Sequence, residues 1–229
     1  MAGLAVVCGA TGALGSAIVA AFAGRGDHVI AVARSRGEVS KLQSTYPGQV
    51  RGDTADLTSR LEVDDLWSRI DTIGTPLWLV NATGGFKAGK VVDTTPDDYQ
   101  FMINLNLGTA WWCCRAAARR MQPVGAGAIV NVSSRSGVSA EGGAAAYAIA
   151  KAGVIKLTEV LAAELKPSGV RVNCVIPSII DTPANRKSMP AKLLEKAVPP
   201  AQIADVISFL CSDAASEITG TSVPVYDRI

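Results

Sequence analysis

Histidine is almost missing from this chain of 229 residues, and His28 is the only one. A Ser-His-Asp hydrolase therefore has no base to build on, and no GxSxG nucleophile turn is present either. His28 opens an apolar run and reads as a structural or partly exposed residue. Cysteine in a ligand or disulfide pattern is lacking too, although Cys113 and Cys114 are adjacent. Cys8, Cys113, Cys114, Cys174 and Cys211 are odd in number and scattered, with no CxxC and no Cys/His cluster. They supply neither a zinc site nor a disulfide framework, and they read as small buried hydrophobes in a reducing compartment. No metal is expected. Neither sign of charge dominates, since 22 Lys and Arg face 20 Asp and Glu for a net +2. That leaves no basic field for a polyanion, so no nucleic-acid partner is expected. No apolar run approaches the ~20 residues that span a bilayer. Met1-Ala2-Gly3 leads straight into LAVVCGATG without a basic region or a cleavage site. A cytoplasmic protein without a membrane partner is the expectation.

What is present is an alternation of short β-rich runs and longer helical patterns. LAVVC, HVIAVA, PLWLVNA, GAIVNVS and VRVNCVI are continuous in apolar residues, as buried parallel strands should be. Helices are expected from near Ala13, near Glu38 to Leu42, over VDDLWSRI, from about Pro96 to Met121, and from Ala144 to Leu165. The pattern predicts an α/β fold, a single doubly wound domain over residues 1–229 around a mainly parallel sheet. Pro177 to Pro200 holds five of the eleven prolines and follows a strand end, so it reads as a substrate lid. Trp111-Trp112 with Arg115, Arg119 and Arg120 reads as an amphipathic helix with a solvated basic face.

Two stretches carry chemistry. Gly9-Ala10-Thr11-Gly12-Ala13-Leu14-Gly15 follows the first strand and opens the first helix. Glycine serves where the chain turns sharply, where backbone approaches a pyrophosphate and where helix packs close on strand. The helix start then offers N–H groups and a positive dipole end to phosphates. Gly9, Thr11, Gly12, Leu14 and Gly15 are thus candidate contacts of a dinucleotide. The spacing is GxxGxxG, one position away from the generic GxGxxG. The second strand ends in Ala33-Arg34-Ser35-Arg36, with no acidic residue to hold ribose hydroxyls. Guanidinium suits a 2′-phosphate, so NADP(H) is expected over NAD(H). The second stretch places Tyr147 and Lys151 one helical turn apart, with Ser134 thirteen residues before the tyrosine. A cationic neighbour favours the ionised phenol and is expected to bring its pKa down from about 10.

Glycine turn, IVNVSS, YxxxK and VRVNCVIP stand in the order and spacing of the short-chain dehydrogenase/reductase family, which the chain resembles from Leu4 to about Val225. The resemblance implies roles for matching residues. Tyr147 would be the general acid/base, Lys151 would lower its pKa and hold the nicotinamide ribose, and Ser134 would hydrogen-bond the reacting oxygen. Asn106, in NLNLGT, would support a proton-relay water. Asp56 and Leu57 would contact adenine, Asn81 would begin the loop after the fourth strand, Tyr147 and Pro177 would also touch the cofactor, and Ile180 and Thr182 would hold the nicotinamide carboxamide. The chain departs from the family at Cys8, Ala13, Asn81-Ala82-Thr83-Gly84, Pro177-Ser178 and Tyr226-Asp227-Arg228. Asp181 to Pro190, with GALGS, also resembles the dihydropteridine reductase branch, which lacks the catalytic serine present here as Ser134. Family members often pair subunits through the helix that carries Trp111, so a homo-oligomer, dimer or tetramer, is implied.

The expected activity is that of an NADP(H)-dependent oxidoreductase, a carbonyl reductase or the matching alcohol dehydrogenase, acting on a small molecule. A quinonoid dihydropteridine-type reductase and a non-catalytic NADP-binding regulator are the alternatives. Intact Ser134, Tyr147, Lys151 and Asn106 argue against the regulator, because a sensor needs no proton donor.

Overall fold

The apolar runs meet in one parallel sheet at the centre of the molecule. A computed structural model describes residues 2–139 and 142–226, and Asp227 and Arg228 of the C-terminal motif lie outside the described residues. The strands are β1 (Leu4–Cys8), β2 (His28–Ala33), β3 (Val50–Thr54), β4 (Trp78–Asn81), β5 (Gly127–Val132), β6 (Val170–Pro177) and β7 (Ser222–Val225). Their order is β3-β2-β1-β4-β5-β6-β7, and every pair is parallel. The chain runs outward from β1 in one direction and then restarts at β4 on its other side. That reversal opens a crevice above the ends of β1 and β4.

Both faces of the sheet are covered, which explains the lack of polar alternation in the strands. Side-chain parity divides the core. Val6 and Cys8 join Leu79, Ile129 and Val172 under α3 (Arg60–Asp71), α5 (Thr109–Val124) and α6 (Ala145–Leu165). Ala5 and Val7 join Val80, Val130 and Val175 on the opposite face. There α1 (Ala13–Gly24) lays Ile18 and Phe22 beside Ile203 and Ile207 of α9 (Pro200–Leu210). Caps legible in the sequence fix several starts. Ser35 accepts from Glu38 N ahead of α2 (Arg36–Thr45), Ser59 accepts from Glu62 N ahead of α3, and Thr95 accepts from Asp98 N ahead of α4 (Pro96–Ile103).

The structure corrects several expectations. The helix expected over Pro96 to Met121 is interrupted: Asn104–Gly108 forms a π turn between α4 and α5. The strand expected over PLWLVNA is only Trp78–Asn81, so Asn81 ends β4 rather than beginning the loop. Within the Pro177-to-Pro200 lid region, Pro177 is still paired in β6 with Val225, and Pro200 opens α9. Between them lie α7 (Pro183–Ser188) and α8 (Ala191–Leu194), tied down by a parallel bridge from Ile180 to Val198. Finally, β3, β7 and α9 had not been anticipated. VRGDT is too polar to read as a strand, and β7 sits at the sheet edge, where its Pro224 is tolerated. The Arg-bearing face of α5 is not merely solvated: Arg115 pairs with Asp64 and Arg120 with Asp71, both on α3.

Candidate active site

β1 delivers the chain into the glycine turn with no room to spare. Gly9 has φ of +76°, a conformation side chains resist, and a Cβ on it would lie 2.9 Å from Ala82 C and Thr83 N. A Cβ on Gly15 would lie 2.0 Å from Gly9 O, so the first turn of α1 packs directly on the loop. Gly12 precedes α1 with no side-chain cap and no acidic residue follows in the first turn. The helix thus leaves its first N–H groups and positive dipole end for an anion.

A cavity of about 370 Å³ opens over this turn. Of the residues expected at a cofactor, Gly9, Thr11, Gly12, Arg34, Ser35, Asp56 and Leu57 line it. Leu14 and Gly15 shape it from beneath: Leu14 is buried in the apolar core and Gly15 carries the close packing. Asn81 turns away, donating from Nδ2 to Asn131 Oδ1 at 2.8 Å and to Cys114 Sγ at 3.3 Å. Glu38, Thr58, Thr83 and Gly84 also line the cavity and had not been assigned to it. The Thr58 hydroxyl, 2.7 Å from Asp56 Oδ1, holds that carboxyl below its usual range, helped by the Thr58 N–H and the Arg34 charge. The uncapped helix start, the side-chain-free turn and the Arg34–Ser35 rim fit the pyrophosphate and adenosine end of a dinucleotide.

The far end of this crevice holds the second group of predicted residues. Ser134 follows β5, is 8% exposed, and accepts from Ser136 N. It stands beside the Tyr147 phenol and favours its ionised form. Lys151, 4% exposed, donates from Nζ to Val132 O at 3.0 Å and lies 5.9 Å from the Tyr147 ring centre. Ser133 fixes this turn of α6 by donating to Lys151 O at 2.7 Å. Gly84 connects the two ends, since a Cβ there would lie 3.2 Å from Lys151 Nζ.

Burial decides the charges. It pushes the Tyr147 phenol above its ordinary value, and the neighbouring Ser134 only partly opposes it. The expected lowering by Lys151 is therefore not the balance found: the ammonium faces Val132 O, and desolvation governs the phenol. The same desolvation brings Lys151 down to about 8, with the nearby Cys174 thiol working the other way.

Asn106 sits at the centre of the π turn and is 1% exposed. Its Nδ2 donates to Gly85 O at 3.0 Å and Met102 O at 3.1 Å, while Oδ1 accepts from Gly85 N at 3.2 Å. The side chain is a clamp on the loop after β4. Phe86, next along that loop, stands edge-on to Tyr147 with ring centres 5.2 Å apart. Nothing in the sequence marked Phe86, because its place depends on the Gly85 clamp.

Three predicted residues lie elsewhere. Pro177 ends β6, Ile180 packs against the core and pairs with Val198, and Thr182 caps α7 by accepting from Asn185 N at 3.1 Å. None lines the cavity over the glycine turn.

A family model described as enoyl-(acyl carrier protein) reductase matches residues 9–226. Galactitol 2-dehydrogenase of Rhizobium johnstonii is 34% identical, with 96% of this chain and 92% of that protein aligned. D-threitol dehydrogenase of Mycolicibacterium smegmatis is 31% identical, over 97% of this chain and 90% of that protein. A solved structure of a short chain dehydrogenase/reductase family protein superposes with a TM-score of 0.91 at 28% identity, covering 97% of this chain and 94% of that one.

Proposed function

The chain belongs to the short-chain dehydrogenase/reductase family, and from that premise we propose that it is an NADP(H)-dependent carbonyl reductase with Tyr147 as proton donor. It is an oxidoreductase acting on CH–OH or C=O groups with a nicotinamide cofactor. The observation that carries the finer reading is the meeting of Ser134, Tyr147 and Lys151 at one end of the crevice, with the glycine turn at the other.

When bound, the reduced dinucleotide supplies the hydride. Gly9, Thr11 and Gly12 would cradle its phosphates, and Arg34 with Ser35 would receive a 2′-phosphate at the cavity rim. Tyr147 is held protonated well past neutral pH, which suits a group that must give a proton to a developing oxyanion. Ser134 stands beside the same phenol and would share the substrate oxygen with it. Once the proton leaves, the buried Lys151 charge stabilises the phenolate in a site poor in competing water. The loop clamped by Asn106 keeps one wall of the site in place. A cytoplasmic setting fits five buried free thiols. A homo-oligomer fits α5, which leaves Trp111 50% exposed.

The test is a panel of ketones, oxoacyl thioesters and quinonoid pterin mixed with the protein and NADPH, followed by loss of reduced-nicotinamide absorbance. Turnover of a ketone with NADPH preferred over NADH supports the reading. Tight NADPH binding without turnover of any member would replace it with a regulator.

A further inference from the structure

Phe86 is 65% exposed although its backbone is fixed. The neighbouring Gly85 is clamped in both directions by Asn106, and Lys87 is anchored to Asp98. The ring therefore stands at a set place against Tyr147, with most of its apolar surface unpartnered. An aromatic face held open beside a proton donor is suited to the part of a substrate that flanks the reacting carbonyl.

Two polar side chains of the site, Lys151 and Asn106, are already engaged. The Lys151 ammonium is turned to Val132 O, and the Asn106 amide is used up on Gly85 and Met102. A hydroxyl laid against the Phe86 ring would lose water and gain no hydrogen-bond partner from the ring, at a cost that grows with each such hydroxyl. The relatives named for galactitol and D-threitol act on polyols.

Building on the carbonyl-reductase reading, we propose that Phe86 sets substrate class, selecting carbonyl compounds with a flat or apolar group beside the carbonyl over polyhydroxylated ketones. The ring of Phe86 covers that group while Tyr147 and Ser134 receive the oxygen.

The test uses the full chain with saturating NADPH, a phenyl methyl ketone, and a four-carbon ketose. The wild-type protein should prefer the phenyl ketone by at least about a hundredfold in kcat/KM. Phe86→Ala should cut that preference by about tenfold or more, mainly through KM, and Phe86→Leu should cut it less. Saturation-transfer NMR on the phenyl protons reads the contact without turnover: signal in the wild type should be lost in Phe86→Ala. Equal use of the two ketones, or an NMR signal unchanged in Phe86→Ala, would overturn the assignment of Phe86 alone. Ring contact without reduction of any ketone would uphold Phe86 as the contact and overturn the reductase reading instead. A thermal midpoint kept within a few degrees shows that the variants are folded.

Discussion

Lys151 shows what a single residue costs and supplies. Its folded pKa of about 8 lies below the ordinary lysine value of about 10.4. A lowered lysine pKa means the folded state resists the charge. The penalty is therefore full below pH 8 and fades as pH rises toward the unfolded value. Lys151→Met should stabilise the cofactor-free protein at pH 7, by on the order of 3 kcal/mol less the lost Val132 hydrogen bond. The advantage over wild type should shrink between pH 8 and 10.5. Comparing the two proteins at each pH cancels the buried thiols, which titrate in the same range. A difference in denaturant midpoint that stays constant across this window would show that the lysine is not charged against its surroundings. At the opposite end of the crevice, Arg34→Ala should weaken NADPH about tenfold or more and leave NADH nearly unchanged, as read by titration calorimetry. Equal loss for both dinucleotides would remove the case for a 2′-phosphate contact.

The π turn is the element whose role was least visible beforehand. An i→i+5 turn depends on what the inserted residue finds to bond with, and here Asn106 finds Gly85, twenty-one residues away in sequence. Asn106→Ala should cost about 1–3 kcal/mol, because the Gly85 N–H and C=O both lose their side-chain partner. It should also speed hydrogen exchange at the Gly85 amide while leaving β1 amides protected, a local loosening rather than global unfolding. Unchanged exchange at Gly85 would mean that the loop is held by something other than this clamp. Other elements were legible because their signals are local. Ser35 and Ser59 each stand three residues before a glutamate, and both cap the helices they precede. β3 was not, because its residues alternate poorly and it is recognised only by pairing with β2. Strand parity carries the signal for Asn81: it lies two residues from Leu79, so its side chain falls on the α5 face and away from the crevice.

At the scale of the whole molecule, the reversal of strand order beside β1 makes the crevice, and the sequence pattern was sufficient to expect it. Tyr147, Lys151 and Ser134 were legible as types and spacings, but the balance of forces on them was not. Burial depends on every element that covers α6, so the rise of the Tyr147 pKa could only come from the assembled fold. If the crevice binds NADPH in the native state alone, ligand at a hundred times its Kd adds about 2.7 kcal/mol. That corresponds to a rise of roughly 5–10 °C in Tm for a domain of this size, measurable by calorimetry; no shift would deny the cavity its dinucleotide.

The most direct measurement compares wild type with Tyr147→Phe for NADPH-dependent ketone reduction, with NADPH affinity measured on the same samples. Proton donation by Tyr147 predicts a fall in kcat of at least about a hundredfold with NADPH affinity nearly unchanged. A Tyr147→Phe protein that reduces the ketone at the wild-type rate would contradict it.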